Sequence, residues 1–335
     1  MNQEAVPSRK MHDSFGRRID YVRMSVTDRC DFRCRYCMAE HMTFLPRKDI
    51  LTLEEITALA DMFIERGVRK IRLTGGEPLV RRGFDDLVTE LGKRLGRGLE
   101  ELTLTTNGSQ LSNHAAKLAA AGVRRINVSL DTLDGEAFAK LTRGGSIDQV
   151  LRGIAAAKEA GLAVKINTVG LQGVNDHTIP TMLDWCITQG LDMTLIETMP
   201  LGEVEQDRTA YYLPLDEVRD QLIASHDLTP SLHRTGGPAR YWDVPETQTR
   251  VGFITPLTGN FCDGCNRIRV AATGTVYGCL GHNQHVELRD VLRQDGAQAV
   301  SALLDDLLAG KPQRHEFDLQ DAQPAVARHM SVTGG

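Results

Sequence analysis

Between residues 22 and 197, short runs of alternating polar and apolar residues are separated by longer stretches with helical periodicity. Strands are expected near Val22 to Thr27, Arg69 to Thr74, Glu101 to Thr105, Arg124 to Leu130, Ala163 to Thr168 and Met193 to Glu197. A unit recurs after the first of them, consisting of an amphipathic helix, a glycine followed by Val or Leu, and a strand. It is seen at Gly67-Val68, Gly122-Val123, Gly161-Leu162 and Gly190-Leu191. Glycine just past a helix suits a left-handed cap, and a strand starting at once implies a short connection. The uneven spacing excludes a fixed-period solenoid. The first helix opens with Thr52-Leu-Glu-Glu55, a capping-box pattern, and runs to about Arg66. Six βα units in succession predict an α/β fold with a parallel sheet rolled into a barrel or partial barrel.

Alternation assigns each strand two unlike faces. Arg23, Ser25 and Thr27 oppose Val22, Met24 and Val26, while Lys70, Arg72 and Thr74 oppose Ile71 and Leu73. Asn127, Ser129 and Asp131 oppose Ile126, Val128 and Leu130, and Lys165 and Asn167 oppose Val164 and Ile166. The apolar face must meet the helices, so the polar, mostly basic face points inward, where a closed barrel would stack branched apolar side chains. Such a lumen is a cavity. An open sheet with one solvated face is the rival arrangement, and helices after every strand disfavour it.

Composition narrows the class without choosing the chemistry. At 335 residues, with 41% hydrophobic and 25% charged positions, the chain suits a barrel-sized domain with an extension, or two domains. No apolar stretch approaches a membrane span, and residues 1–13 lack the apolar core of a secretory signal, so a cytoplasmic location is expected. The net charge of -5 disfavours a nucleic-acid partner and means that any phosphate site must be made by locally clustered cations. After Glu197 the chain becomes less regular and richer in Pro and Gly. Residues 1–205 are therefore expected to form the barrel and residues 206–335 an α+β extension.

Six of the seven cysteines fall in two triplets, which fits metal binding in a reducing compartment better than disulfides; Cys186 reads as a core residue. The first triplet is Cys30-Asp-Phe-Arg-Cys34-Arg-Tyr-Cys37, directly after the first strand. Three thiolates can hold an iron-sulfur cube with one iron free, or half of a zinc site completed elsewhere. Next to it in the predicted fold, Thr74-Gly-Gly-Glu-Pro78 offers glycines for close backbone approach and Glu77 as an acceptor for an ammonium group. The second triplet is Cys262, Cys265 and Cys279. With His282 it forms a zinc-like spacing that, on spacing alone, favours structural zinc; His285 is also near.

The first triplet with its aromatic at Tyr36, followed by GGEP, resembles the radical S-adenosylmethionine (SAM) enzymes. With SVTDRCDFRCRYC, KIRLTGGEPLVRR, TTNG, INVSLD, VKINTV, CNRIRV and a terminal Gly-Gly in order, the chain resembles the GTP 3',8-cyclase family of molybdenum cofactor biosynthesis over nearly its whole length. The resemblance implies a partial (β/α)6 TIM-like radical SAM barrel with a C-terminal α+β extension carrying a second cluster. Cys30, Cys34 and Cys37 would hold one 4Fe-4S cluster, and Cys262, Cys265 and Cys279 another. That outweighs the zinc reading and leaves His282 a bystander.

By the same resemblance, Tyr36, Gly76, Ser129 and Met199 would line the SAM site. Arg23, Lys70, Arg72, Thr105, Lys165, Arg267, Ile268 and Arg269 would take GTP, and Gly334 and Gly335 would complete the active site. The implied reaction starts with a 5'-deoxyadenosyl radical that removes hydrogen from C3' of the ribose. The C3' radical attacks C8 of guanine to give 3',8-cyclo-7,8-dihydro-GTP. GTP, an electron donor and the next enzyme of the pathway are the expected partners, and a homodimer is left open. One position departs from the family: Thr194 stands where members commonly carry an Arg, and a Thr cannot grip phosphate as a guanidinium does. The rival classes are a peptide-modifying radical SAM maturase and a non-enzymatic zinc or electron-transfer protein.

Overall fold

The computed structural model describes residues 10–202, 209–318 and 324–334. Six strands lie where alternation placed them, with ends shifted by a residue or two: β1 (Tyr21–Ser25), β2 (Lys70–Thr74), β3 (Glu101–Thr106), β4 (Arg125–Ser129), β5 (Ala163–Val169) and β6 (Asp192–Ile196). The connecting helices are α1 (Leu53–Glu65), α2 (Phe84–Gly92), α3 (Leu111–Ala120), α4 (Gly135–Thr142), α5 (Ile147–Glu159) and α6 (Ile179–Gln189). The predicted capping box forms at α1: Thr52 accepts from the Glu55 N–H and Glu55 accepts from the Thr52 N–H. Gly190 ends α6 at φ 65°, a left-handed cap that glycine adopts without strain.

One face of each strand is the core. Val22, Met24, Ile71, Leu73, Ile126, Val128, Ile166 and Leu195 pack with Ile56, Leu59 and Phe63 of α1 and the equivalent faces of the other helices. Phe63 is fully buried, and truncating it to Ala would cost about 3–5 kcal/mol.

Six further strands come from later in the chain: β7 (Thr229–Pro230), β8 (Arg240–Asp243), β9 (Arg250–Ile254), β10 (Arg267–Val270), β11 (Thr275–Tyr277) and β12 (His285–Glu287). They continue the same sheet, in the order β12-β11-β10-β1-β2-β3-β4-β5-β6-β9-β8-β7. The barrel is therefore open. β9 extends it in parallel beside β6, and β10 does the same beside β1, so the later strands flank the βα units on both sides. No helix among the described residues is long and apolar enough to cross a membrane.

Candidate active site

A single cavity runs through the concave side of the sheet, lined by both cysteine triplets and by Arg23, Lys70, Arg72, Lys165, Arg267 and Arg269. Strand register stacks the cations in tiers. Arg267, Tyr21 and Lys70 stand side by side on β10, β1 and β2, and Arg269, Arg23 and Arg72 form the next tier. All point inward because each lies two residues from its neighbour on a pleated strand. Burial, followed by the charges of Arg269, Arg72 and Arg267, pushes Arg23 well below its ordinary pKa, and Arg269 is brought down to about 10 by burial and then by Arg267. Guanidinium groups stay protonated in proteins, so these shifts measure crowding that an anion would relieve. Among the described residues, Nε of Arg23, Arg72 and Arg267 and Oγ1 of Thr105 are buried without a hydrogen-bond partner. A polyanion with many acceptor oxygens fits that donor set.

At one end of the cavity, Cys30, Cys34 and Cys37 sit on a tight turn in which the Cys37 N–H donates to the Cys34 carbonyl at 2.9 Å. Asn107 Nδ2 lies 3.7 Å from Cys30 Sγ. Burial and the nearby Glu77 push Cys30 up to about 12, and burial lifts Cys37 to about 11. All seven cysteines are free thiols, so the triplets keep their full ligand capacity. Gly76 lets the following loop lie against this turn: its N–H donates to Thr27 O at 2.9 Å, and a Cβ there would strike the Arg29 carbonyl. Tyr36 donates to Asp131 Oδ2 at 2.8 Å, and Ser129, Met199 and Gly76 complete this wall.

Glu77 has a different job from the one its motif suggested. Its carboxylate is fully buried and accepts from the Thr106 hydroxyl at 2.7 Å, the Asn107 N–H at 2.6 Å and the Leu79 N–H at 3.0 Å. It ties its own turn to the loop that follows β3, and three of the carboxylate's acceptor sites are used in doing so. Burial pushes it up to about 7, while those hydrogen bonds pull the other way.

The second triplet faces the same cavity from the far wall. His282 Nε2 donates to the Arg314 carbonyl at 3.0 Å, and neither His282 nor His285 lines the cavity. Cys265 stands apart chemically: burial raises its pKa, but Lys311 and Arg267 outweigh it and hold the thiol below its ordinary value.

Ile268 turns its side chain into the apolar core, so only its backbone can reach a nucleotide; β10 alternation requires this, since Arg267 and Arg269 face inward. Gly335 lies outside the described residues, whereas Gly334 lines the cavity.

The sequence reading passed over Tyr21 and Tyr241. Tyr21 has Lys70 at 4.9 Å and Arg72 and Arg267 at 5.7 Å from its ring centroid. Burial alone would raise this phenol, but Arg72, Arg23, Lys70 and Arg267 together bring it to about 7. The Tyr241 hydroxyl lies 3.0 Å from Lys165 Nζ. Its ring covers Gly252, the residue that pairs with Thr194. An aromatic ring thus sits beside the position where the family commonly has an Arg.

Comparison with known proteins agrees with this geometry. Residues 24–186 match the radical SAM superfamily, and residues 191–317 match the molybdenum cofactor synthesis C family. The GTP 3',8-cyclase of Erythrobacter litoralis is 59% identical over 96% of this chain and 98% of its own length. That of Sinorhizobium medicae is 59% identical over 97% of this chain and 94% of its own. This chain belongs to the GTP 3',8-cyclase family. Among solved structures, Streptococcus suis SuiB bound to the precursor peptide SuiA superposes with a TM-score of 0.54 at 17% identity, covering 94% of this chain and 76% of SuiB. AdoMet- and peptide-bound anSMEcpe gives 0.52 at 13% identity, covering 85% of this chain and 83% of that one. At such identities the likeness is one of fold, and it is the open radical SAM barrel described above.

Proposed function

We infer that this protein is a GTP 3',8-cyclase, a radical SAM lyase that converts GTP to (8S)-3',8-cyclo-7,8-dihydroguanosine 5'-triphosphate early in molybdenum cofactor biosynthesis. The observation that carries the reading is the shared cavity: two free-thiol triplets face each other across a lumen walled by partnerless buried guanidinium atoms. A triphosphate with a purine head suits a space that is cationic along one stretch and sulfur-lined at both ends.

Cys30, Cys34 and Cys37 would hold one 4Fe-4S cluster and Cys262, Cys265 and Cys279 the other, and the first cluster with SAM supplies the radical that starts the reaction. The chain's own residues do the rest. Tyr36, Gly76, Ser129 and Met199 shape the SAM pocket. Arg23, Lys70, Arg72, Thr105, Lys165, Arg267 and Arg269, with the backbone of Ile268, orient GTP. Gly334 and Gly335 close the site, and the buried walls exclude water from the reacting atoms. With a division near residue 205, the barrel would carry the first triplet with Arg23, Lys70, Arg72, Thr105 and Lys165, and the extension the second triplet with Arg267 and Arg269. A reductant feeds the reaction and the next enzyme of the pathway takes the cyclic product. Seven unpaired thiols are in keeping with a cytoplasmic setting.

Anaerobic incubation with SAM, GTP and dithionite should yield 5'-deoxyadenosine and the cyclic nucleotide together. 5'-Deoxyadenosine that is indifferent to GTP would favour a different radical SAM substrate.

A further inference from the structure

Lys311 follows the helix Gly296–Ala309 and is buried, with 2% of its surface exposed. A buried ammonium ordinarily has a carboxylate beside it, because an uncompensated charge in the interior is costly. Among the described residues, Lys311 forms no ion pair with any Asp or Glu. Its Nζ donates to the Gly278 carbonyl at 2.7 Å and lies 3.4 Å from Cys265 Sγ. The sulfur is the only atom of the two that can carry a full negative charge.

The setting differs at the first triplet. There the charged side chains that act on the sulfurs are acidic, Glu77 and Asp31 at Cys30 and Asp131 at Cys34 and Cys37, Asn107 Nδ2 lies 3.7 Å from Cys30 Sγ, and no cation donates to a sulfur among the described residues. Arg33 bonds the Cys30 carbonyl and leaves its Sγ alone. The second triplet is instead held by cations throughout. Arg17 donates to Cys262 O at 2.8 Å and Arg328 to Cys279 O at 3.2 Å, while among the cations of the described residues it is Lys311 that donates to a sulfur.

We propose that Lys311 is a positioning residue whose ammonium, fixed against Cys265 Sγ, sets the reduction potential of the group held by Cys262, Cys265 and Cys279 by favouring its one-electron-reduced, more negative state. The proposal rests on the reading of that triplet as cluster ligands. Adding an electron adds a negative charge a few ångströms from a fixed cation in a medium of low dielectric, so removing the cation must lower the potential.

The test uses anaerobically reconstituted, full-length enzyme. Redox titration followed by electron paramagnetic resonance is compared for the natural protein, Lys311→Met, Lys311→Gln and Lys311→Arg. The second-cluster signal is assigned by its loss in Cys279→Ala, and the first cluster serves as the internal reference. Met and Gln should lower the potential of the second cluster and leave the first in place, and Arg should restore most of the shift. In deuterated buffer, the reduced second cluster of the natural protein should lose a proton coupling that is already absent in Lys311→Met. Full iron with unmoved potentials would overturn the proposal. Loss of the second cluster's iron in both Met and Gln would also overturn it, making Lys311 a clamp on Gly278. A natural protein that carries only the first cluster's iron would instead overturn the ligand reading beneath it.

Discussion

Arg269 on β10 donates from Nη1 to the Gly334 carbonyl at 3.4 Å, in a contact closed off from solvent. The same stretch of chain crosses the first cysteine turn, where the Ser331 N–H reaches the Cys37 sulfur. Gly334 itself has φ 74°, and a Cβ there would fall on the Thr74 side chain. Strands β10 and β2 therefore converge on a position that only glycine fits without strain.

Deleting Gly334 and Gly335 should leave iron content, fold and SAM binding intact while conversion of GTP to the cyclic nucleotide collapses. Gly334→Ala should show a milder form of the same defect, because the added methyl displaces the tail from Thr74. Product chromatography beside an iron assay separates these effects. A truncated enzyme that cyclises GTP at the natural rate would show the tail to be dispensable.

Arg267→Ala removes a lumen guanidinium without touching the tail, and so reports on nucleotide binding more cleanly than Arg269→Ala. Loss of a charged hydrogen-bond partner costs about 1.5–3 kcal/mol, so GTP should bind roughly ten- to a hundredfold more weakly. Equilibrium dialysis with GTP measures this directly. SAM cleavage should be affected less than cyclisation.

Tyr21 links stability to pH. Its phenol is near 7 in the folded protein against an ordinary 10, so between those values the folded protein carries a phenolate where the unfolded chain carries a phenol. The group's stabilisation is complete above about pH 10, shrinks as pH falls, and is gone below about pH 7. Arginine charge does not change over that range. Urea midpoints of the GTP-free protein should thus rise more steeply from pH 7 to 10 than those of Tyr21→Phe. Parallel curves would mean that the lumen cations leave the phenol protonated.

Cys279→Ala should lose about half of the iron that the natural protein takes up on anaerobic reconstitution. Metal analysis also tests the rival reading of that triplet: stoichiometric zinc persisting beside one cluster's iron would make the second site structural.

Much of the cavity was legible because a strand's period is two. Once Val22 and Met24 were assigned to the core, Arg23 had to face inward, and the same parity placed Arg72, Lys165 and Arg269. Tyr21 shares that parity, but it lies one residue before the run Val22 to Thr27 in which the alternation is visible. The donors that Glu77 serves were not legible, because a motif gives a residue's neighbours in sequence, whereas Thr106 and Asn107 come from the next strand's end. Lys311 and Tyr241 lie in irregular or short elements without periodicity, so nothing local announced their neighbours. The insertion of β10 beside β1 was equally hidden, since pairing between strands so distant in the chain leaves no mark in either one.

That pairing also sets a schedule. Arg23 pairs with Arg72 on one side and Arg269 on the other, so β1 gains one neighbour early in translation and the second only near its end. At about 5–20 residues per second, the interval between the two is roughly ten to forty seconds. Until β10 leaves the ribosome, the edge of β1 is bare and the first cysteine turn can be reached from the side. Metal loading of that turn and sealing of the nucleotide chamber are therefore separable in time, with the chamber finished last.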